Sequence, residues 1–91
     1  MRTEIIDRTM AQDLQNKAIL ERDLWVWTVT TGTSDLPGRY VCRPHSTKLG
    51  SPFGFALISD TLDGVRAQLP WGLSRLNREP EDDPVIVETW I

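Results

Sequence analysis

The sequence contains one cysteine and one histidine, and this scarcity excludes several kinds of chemistry. Disulfide frameworks need paired cysteines, so Cys42 forms no internal disulfide and suits a reducing compartment. Cys42 and His45 have a Cys-x-x-His spacing, but a structural zinc site needs four protein ligands and a catalytic one usually three. On an extended strand the two side chains point to opposite sides, which also disfavours a thiol nucleophile with a histidine base. We predict no metal site and no enzyme.

Long apolar runs, glycine-rich loops and a strong charge of one sign are missing as well. No segment approaches the roughly 20 apolar residues of a membrane span, and the first residues lack the apolar core of a secretion signal. The six glycines are scattered among separate turns, so no phosphate-binding loop is predicted. A net charge of -3 is too small for an acidic tail or a basic nucleic-acid binder. We expect a cytoplasmic protein with no cofactor and no membrane partner.

Residues 1–23 contain no glycine, proline or aromatic residue and are rich in helix-forming residues. Thr9 and Gln12 have the spacing of a capping box, which predicts a helix over 10–22. An isolated helix of this length is only marginally stable, so this N-terminal arm is either a docked helix or a frayed extension. Its apolar stripe consists of Met10, Leu14 and Ala18, with Ala11 beside them, whereas Ile19 and Leu20 lie off that stripe.

From Leu24 onward, β-branched and aromatic residues alternate as they do in strands, and 24–91 is predicted to be a single domain. The order of elements is (α)βββαβ, which predicts an α+β fold with a small, mostly antiparallel sheet and one short helix on one face. The predicted elements are strands at 24–31, 39–43, 53–58 and 85–91, a loop at 44–52, a short helix carrying Leu62, Val65 and Leu69, and a brief strand at 73–76.

The last strand is apolar on both faces, because Val85 and Val87 point one way and Ile86 and Trp90 the other. A sheet that is apolar on both sides needs two covers, and the sequence offers one convincing helix. We therefore predict that the second face meets residues 1–23, a second copy of the chain or another protein.

Several segments resemble a group of small, uncharacterised bacterial and phage-borne proteins. The most specific is the closing segment DDPVIVETWI at 82–91. The resemblance runs from Trp27 onward and implies no activity and no functional residues, and residues 1–23 have no counterpart in it. The other segments are WTV at 27–29, PGRYV at 37–41, DTL at 60–62 and LPWGL at 69–73.

The unsatisfied apolar surface and the four tryptophans indicate a non-enzymatic protein-interaction module, since tryptophan, tyrosine and arginine dominate interface energetics. The partner is either a second copy, giving a homodimer, or another bacterial or phage protein bound by an accessory or inhibitor-type factor. Glu88 shares its strand face with Ile86 and Trp90, and we interpret it as an interface residue or as a rim carboxylate paired with Arg39 or Arg43. The candidate interface residues are Trp25, Trp27, Tyr40, Trp71, Glu88 and Trp90.

Weak nucleic-acid binding through the region 39–55 is the alternative function. This region contains cations and no acid, and Tyr40, Phe53 and Phe55 offer rings on which bases can stack. The acidic loop at 79–83 would repel a phosphate backbone nearby. The candidate nucleic-acid residues are Arg39, Arg43, His45 and Lys48.

Overall fold

The computed structural model describes residues 4–31, 38–48, 54–77 and 85–91. Within them, six strands form one mixed sheet in the order β1-β4-β3-β2-β6-β5. This is the predicted α+β fold, and its strands are mostly antiparallel, with β1 and β4 as a parallel pair. The elements in chain order are β1 (Glu4–Ile5), α1 (Arg8–Leu20), β2 (Trp25–Thr31), β3 (Tyr40–Ser46), β4 (Phe55–Ser59), α2 (Leu62–Arg66), β5 (Arg75–Leu76) and β6 (Ile86–Trp90).

Three sequence predictions fall partly or wholly outside the described residues. These are Phe53 at the start of a predicted strand, part of the loop at 44–52, and the acidic loop at 79–83. Among the described residues, neither helix combines the length and the apolar character needed to cross a membrane.

Helix α1 begins two residues before the predicted position, because its N-cap is Asp7 and not Thr9. Asp7 has an extended backbone, and its carboxylate accepts a hydrogen bond of 2.9 Å from the backbone N–H of Met10. An Asp at this position satisfies one of the donors that every helix leaves free at its first turn. The capping box predicted at Thr9 and Gln12 is therefore not the cap that the chain uses.

The same helix ends at Leu20, two residues before the predicted position, because a Schellman motif closes it. Arg22 has a positive φ of 56°. The backbone N–H of Asp23 donates to the carbonyl of Ala18 over 2.9 Å, and that of Arg22 donates to Ile19 over 3.0 Å. These two bonds define the motif, in which glycine is the usual residue at the left-handed position.

Residues from the N-terminal arm are part of the same core as the rest of the chain. The buried residues of α1 are Ala11, Gln15 and Ala18, while Met10 is 41% exposed. The indole N–H of Trp27 on β2 donates a 2.8 Å hydrogen bond to the side-chain oxygen of Gln15. Of the two alternatives for this arm, the structure shows the docked helix.

Strand β3 extends to Ser46, through the position where the sequence predicts a loop. It pairs with β2 along its whole length, from Thr31 opposite Tyr40 to Trp25 opposite Ser46. Pro44 lies beyond Cys42, the last residue that β3 pairs with β4. Proline is tolerated in a strand where no ladder donor is required on that side, so Pro44 does not end the strand.

Helix α2 approaches the sheet closely at Gly64, as the glycine in its sequence suggests. A Cβ atom at this position would collide with the Ser59 hydroxyl and touch Thr61 Oγ1. Thr61 is the N-cap, and its hydroxyl accepts a 3.0 Å hydrogen bond from the Gly64 N–H. The turn from β4 into α2 therefore leaves no room for a side chain at position 64 unless the Ser59 side chain moves.

Both helices lie on the same face of the sheet, so α1 does not cover the opposite face, as one of the predicted alternatives required. Buried residues of α1 and α2 belong to one cluster with Trp25, Trp27 and Val29 of β2. The opposite face is mixed, because the even-numbered residues of β2 include Thr28 and Thr30. The half-buried polar residues of this face are Thr28, Thr30, Arg43, His45 and Thr89. Its apolar residues are Val26, Ile58 and Ile86, which are half-buried, and Val41 and Ala56, which are fully buried.

Both outer strands of the described sheet are two residues long, and one edge is blocked further by a side chain. The amide of Gln68 donates to the Ile58 carbonyl of β4 over 3.1 Å and to the Gly64 carbonyl over 3.2 Å. Short edges and occupied carbonyls discourage pairing with strands of another molecule. The geometry therefore gives no support to edge-to-edge association at this side of β4.

Replacing Arg22 with glycine should stabilise the protein by about 0.5–1 kcal/mol. A side chain in the left-handed region costs about 1–2 kcal/mol, and the greater freedom of glycine in the unfolded chain offsets part of that gain. Urea denaturation at pH 7 measures the change. Glu21→Gly is the matched control, since Glu21 has φ -84° and should only lose stability. Equal destabilisation of both variants would contradict this account of the helix end.

Replacing Gln15 with leucine should destabilise the protein by about 1–3 kcal/mol, because the buried Trp27 indole N–H loses its acceptor. Asn16→Leu, on the exposed side of the same helix, should change stability by less than about 0.5 kcal/mol. The midpoints of urea unfolding report both. A Gln15→Leu variant as stable as the natural chain would show that this bond contributes nothing to docking of α1.

Candidate functional site

Five of the six predicted interface residues contribute to the core rather than to the surface. Trp27 is fully buried, and Trp25 and Glu88 are buried to more than nine-tenths. Tyr40 and Trp90 are half-buried and pack against the core cluster. In this fold these residues stabilise the domain, and a partner cannot reach the buried three.

Trp71 differs from the other three tryptophans, because 74% of its surface is exposed. It follows the buried Leu69 and Pro70, so the chain that carries it is anchored in the core. Gly72 next to it has a positive φ of 84°, which permits the turn that presents the indole. Of the six candidate interface residues, Trp71 is the one that the structure places at the exposed surface.

Two residues of α1 fix the position of Trp71. The backbone N–H of Trp71 donates a 2.8 Å hydrogen bond to the side-chain oxygen of Gln12. The guanidinium carbon of Arg8 lies 5.2 Å from the centre of the indole ring, within the range of a cation–π interaction. We call Arg8, Thr9, Gln12, Asp13 and Trp71 the Trp71 patch; they line a surface concavity of about 300 Å³.

Glu88 is buried against an arginine that the sequence analysis did not select. Its carboxylate accepts hydrogen bonds from Nε of Arg66 at 3.0 Å and from Nη2 of the same guanidinium. The indole N–H of Trp90 is a third donor to this carboxylate. The predicted rim pairing with Arg39 or Arg43 is wrong: Arg39 instead lies 3.4 Å from Asp60, at the exposed surface.

These contacts define the chemistry available to Glu88. The Arg66 hydrogen bonds outweigh the effect of burial and hold the pKa of Glu88 below its ordinary value of 4.5. A carboxylate with a lowered pKa and all its donors in place is poorly suited to general acid or base catalysis near neutral pH. The geometry therefore indicates a structural ion pair between α2 and β6.

A second concavity, of about 280 Å³, lies beside this ion pair, between α2 and the edge strand β5. Arg66 and Glu88 form part of its lining, together with Arg75 of β5 and Asn77. The register pairs Arg75 with Trp90, which puts its side chain on the helix-covered face. We call this concavity the β5 groove.

The four cations of the predicted nucleic-acid region are not assembled into one surface. Arg39 and Lys48 flank opposite ends of β3, separated by a strand of seven residues. Lys48 Nζ donates to the Glu21 carbonyl over 3.2 Å, while Arg39 faces Asp60. Arg43 and His45 lie on the face of the sheet opposite the helices, so of the four candidates these two share a surface.

Cys42 and His45 lie on opposite faces of β3, as their spacing predicts. The Cys42 thiol is fully buried, and this burial raises its pKa above the ordinary value. A buried, protonated thiol is neither a nucleophile nor a metal ligand. Among the described residues, no group of three or more histidine, cysteine, aspartate or glutamate side chains is arranged to hold a metal ion.

Comparisons with protein-family models, with curated proteins and with solved structures give no match to this chain. The resemblance of the closing segment to small bacterial and phage-borne proteins therefore remains a prediction.

Sequence reasoning missed the arginines that shape both concavities. The sequence did contain a signal for one of them. Glu88 lies in a strand of mostly apolar residues, and a carboxylate buried there needs a cation as its partner. Which arginine satisfies it depends on the crossover through α2, which sequence spacing does not specify. The residues missed are Arg8, Gln12, Arg66, Arg75 and Asn77.

Replacing Glu88 with glutamine should cost on the order of 2 kcal/mol at pH 7, since charged hydrogen bonds to Arg66 are lost. Because the folded-state pKa of Glu88 is lowered, its stabilisation is present above pH 4.5 and is lost as pH falls below that value. The difference between the natural chain and the variant should therefore shrink from pH 6 to pH 3. Urea denaturation across this range measures it.

Glu4→Gln provides the control for that titration, because Glu4 is an exposed carboxylate. Its stability should follow that of the natural chain at every pH. If the Glu88→Gln deficit stayed constant down to pH 3, the ion pair would not be the source of the stabilisation.

Proposed function

We propose that this protein is a non-enzymatic protein-interaction module that contacts its partner through the Trp71 patch. The observation that carries the proposal is the exposed Trp71 indole, held at its backbone by Gln12 and at its ring by Arg8. A single exposed apolar side chain is ordinary on a protein surface. A tryptophan fixed in place by two neighbours is the arrangement that interface anchors share.

The energetics favour binding through this residue. Tryptophan and arginine are the residue types most enriched among interface positions that contribute 2 kcal/mol or more. Because the ring is already oriented, little side-chain entropy remains to be lost on association. The concavity of about 300 Å³ beside the ring offers a place for a side chain of the partner. Together these features support a partner that buries the indole and fills the concavity.

The partner is a second copy of the chain or another protein. The blocked edge at β4 and the mixed open face give less support to other modes of self-association. A chain with one cysteine, fully buried, suits a reducing compartment, and we propose a cytoplasmic location. The locked ion pair at Glu88 and the buried thiol of Cys42 support a role without catalysis.

Trp71→Ala should weaken partner binding by about 30-fold or more, which corresponds to about 2 kcal/mol, and should change stability by less than about 0.5 kcal/mol. The measurement is affinity capture from a bacterial lysate, with quantitative mass spectrometry on the natural chain and its variants. Leu20→Ala is the matched control, since Leu20 is 84% exposed and lies at the far end of α1. Partners retained by the natural chain and by Leu20→Ala should be lost from Trp71→Ala.

Light scattering after size-exclusion chromatography distinguishes the two kinds of partner. A dimer at micromolar concentration that dissociates in Trp71→Ala but not in Leu20→Ala identifies a second copy. If the chain is a monomer and no captured protein distinguishes the two variants, the Trp71 patch is not an interface.

A further inference from the structure

We propose that the β5 groove is a binding site for a carboxylate group attached to an apolar body, such as a leucine with a free carboxyl terminus. The site is separate from the Trp71 patch and does not depend on the interaction proposed there. It rests on the unequal pairing of the two arginines in the groove and on the apolar residues beside them.

The two guanidinium groups of the groove have different surroundings. Arg66 is occupied, since Glu88 accepts two of its hydrogen bonds and Asp63 lies 3.7 Å from a third nitrogen. Arg75 makes no hydrogen bond or ion pair within the described parts of the chain, and only a longer-range attraction to Glu88 connects it to the groove. Its planar, two-pronged donor set is therefore available to a ligand.

The free guanidinium determines the charge of the ligand. Because Arg66 and Glu88 neutralise each other, Arg75 contributes the uncompensated charge among the described groove residues. Arginine binds carboxylates through two parallel hydrogen bonds, and the Asn77 amide beside it can donate another. A single guanidinium group, with its two parallel donors, suits a carboxylate, which carries a single negative charge. A phosphate dianion would lack a second free cation and would face Asp63 and Glu88.

The remaining walls determine the body of the ligand. Leu62 of α2, Leu76 of β5 and Val87 of β6 line the groove. Leu76 pairs with Thr89, so its side chain lies on the opposite face from Arg75, and the apolar side chains beside the arginines are Leu62 and Val87. A volume of about 280 Å³ accommodates a group the size of a leucine residue and is too small for most extended cofactors. A carboxylate that carries a branched aliphatic side chain therefore matches both the positive charge of Arg75 and the apolar side chains that line the groove.

Titration followed by two-dimensional ¹⁵N–¹H NMR tests this site with N-acetyl-leucine as the probe. The Trp90 indole N–H is a built-in reporter, because it donates to the Glu88 carboxylate in the groove. We expect saturable shifts of this signal and of the Asn77 side-chain amide, with a Kd of about 1 mM for so small a ligand. N-acetyl-leucinamide, which lacks the charge, should bind at least about tenfold more weakly, and inorganic phosphate should not compete at equal concentration.

The matched variants are Arg75→Gln, Arg75→Lys and Arg43→Gln. Arg75→Gln removes the free charge from an exposed edge strand and should weaken binding at least about tenfold. Arg75→Lys keeps the charge without the fork and should bind about three- to fivefold more weakly. Arg43→Gln removes the same charge from the open face and should bind like the natural chain. Trp71→Ala should also bind normally, which separates this site from the Trp71 patch.

A peptide ending in leucine, compared with the same peptide as its terminal amide, identifies the source of the carboxylate. Tighter binding of the free-acid peptide than of N-acetyl-leucine assigns the site to protein carboxyl termini, and equal binding assigns it to small free acids; both uphold the site. The proposal is overturned if no signal saturates, if the amide binds as well as the acid, or if Arg75→Gln binds as tightly as the natural chain.

Discussion

The burial of one face of strand β2 is the constraint on which the rest of this structure depends. Trp25 and Trp27 lie on that face with ring centres 6.2 Å apart, and each buries on the order of 200 Å² of surface. At the usual coefficient this is roughly 5 kcal/mol per ring. Among the described residues, Trp27 is the largest side chain that is fully buried. The indole N–H groups then need acceptors, and they find them in Gln15 and Asp23, within and just after α1. Trp27 therefore ties α1 to the sheet through Gln15, whereas the bond from Trp25 to Asp23 is local.

Covering that face with both helices explains why the other face is mixed. Since side chains alternate along β2, the face that turns away from the helices is occupied by the even-numbered residues, among them Thr28 and Thr30. Threonine favours strands without requiring burial, so these positions need less cover than the tryptophans on the other face. At β4, the Gln68 side chain further reduces the backbone groups available for pairing. Both features reduce the surface that a partner would have to cover.

The strands and their order along the chain could be predicted from the sequence. Alternating apolar and polar side chains and β-branched residues both indicate a local preference for extended backbone. The helix of the N-terminal arm could be predicted from the sequence, but its two ends could not be placed correctly. They are set by the N-cap at Asp7 and by the left-handed backbone of Arg22, and other residues one or two positions away could have served equally well. Which face each helix covers was not accessible, because both predicted stripes are apolar and nothing local orients them. The partner of Glu88 was missed for the same reason: Arg66 and Glu88 meet only after α2 crosses to β6, over a separation of 22 residues.

Both surface features that remain for function are carried by one segment, from the end of α2 to β5. Its first part is anchored by the buried Leu69 and Pro70, and Ser74 exchanges two backbone hydrogen bonds with Ile91, of 2.8 and 2.9 Å. Between and beside these anchors, Trp71 faces α1 and Arg75 faces β6. The segment thus presents an aromatic side chain and a cation on different sides, although it contains almost no regular secondary structure. Because its backbone is anchored at both ends, each side chain leaves the chain at a defined place, which favours recognition.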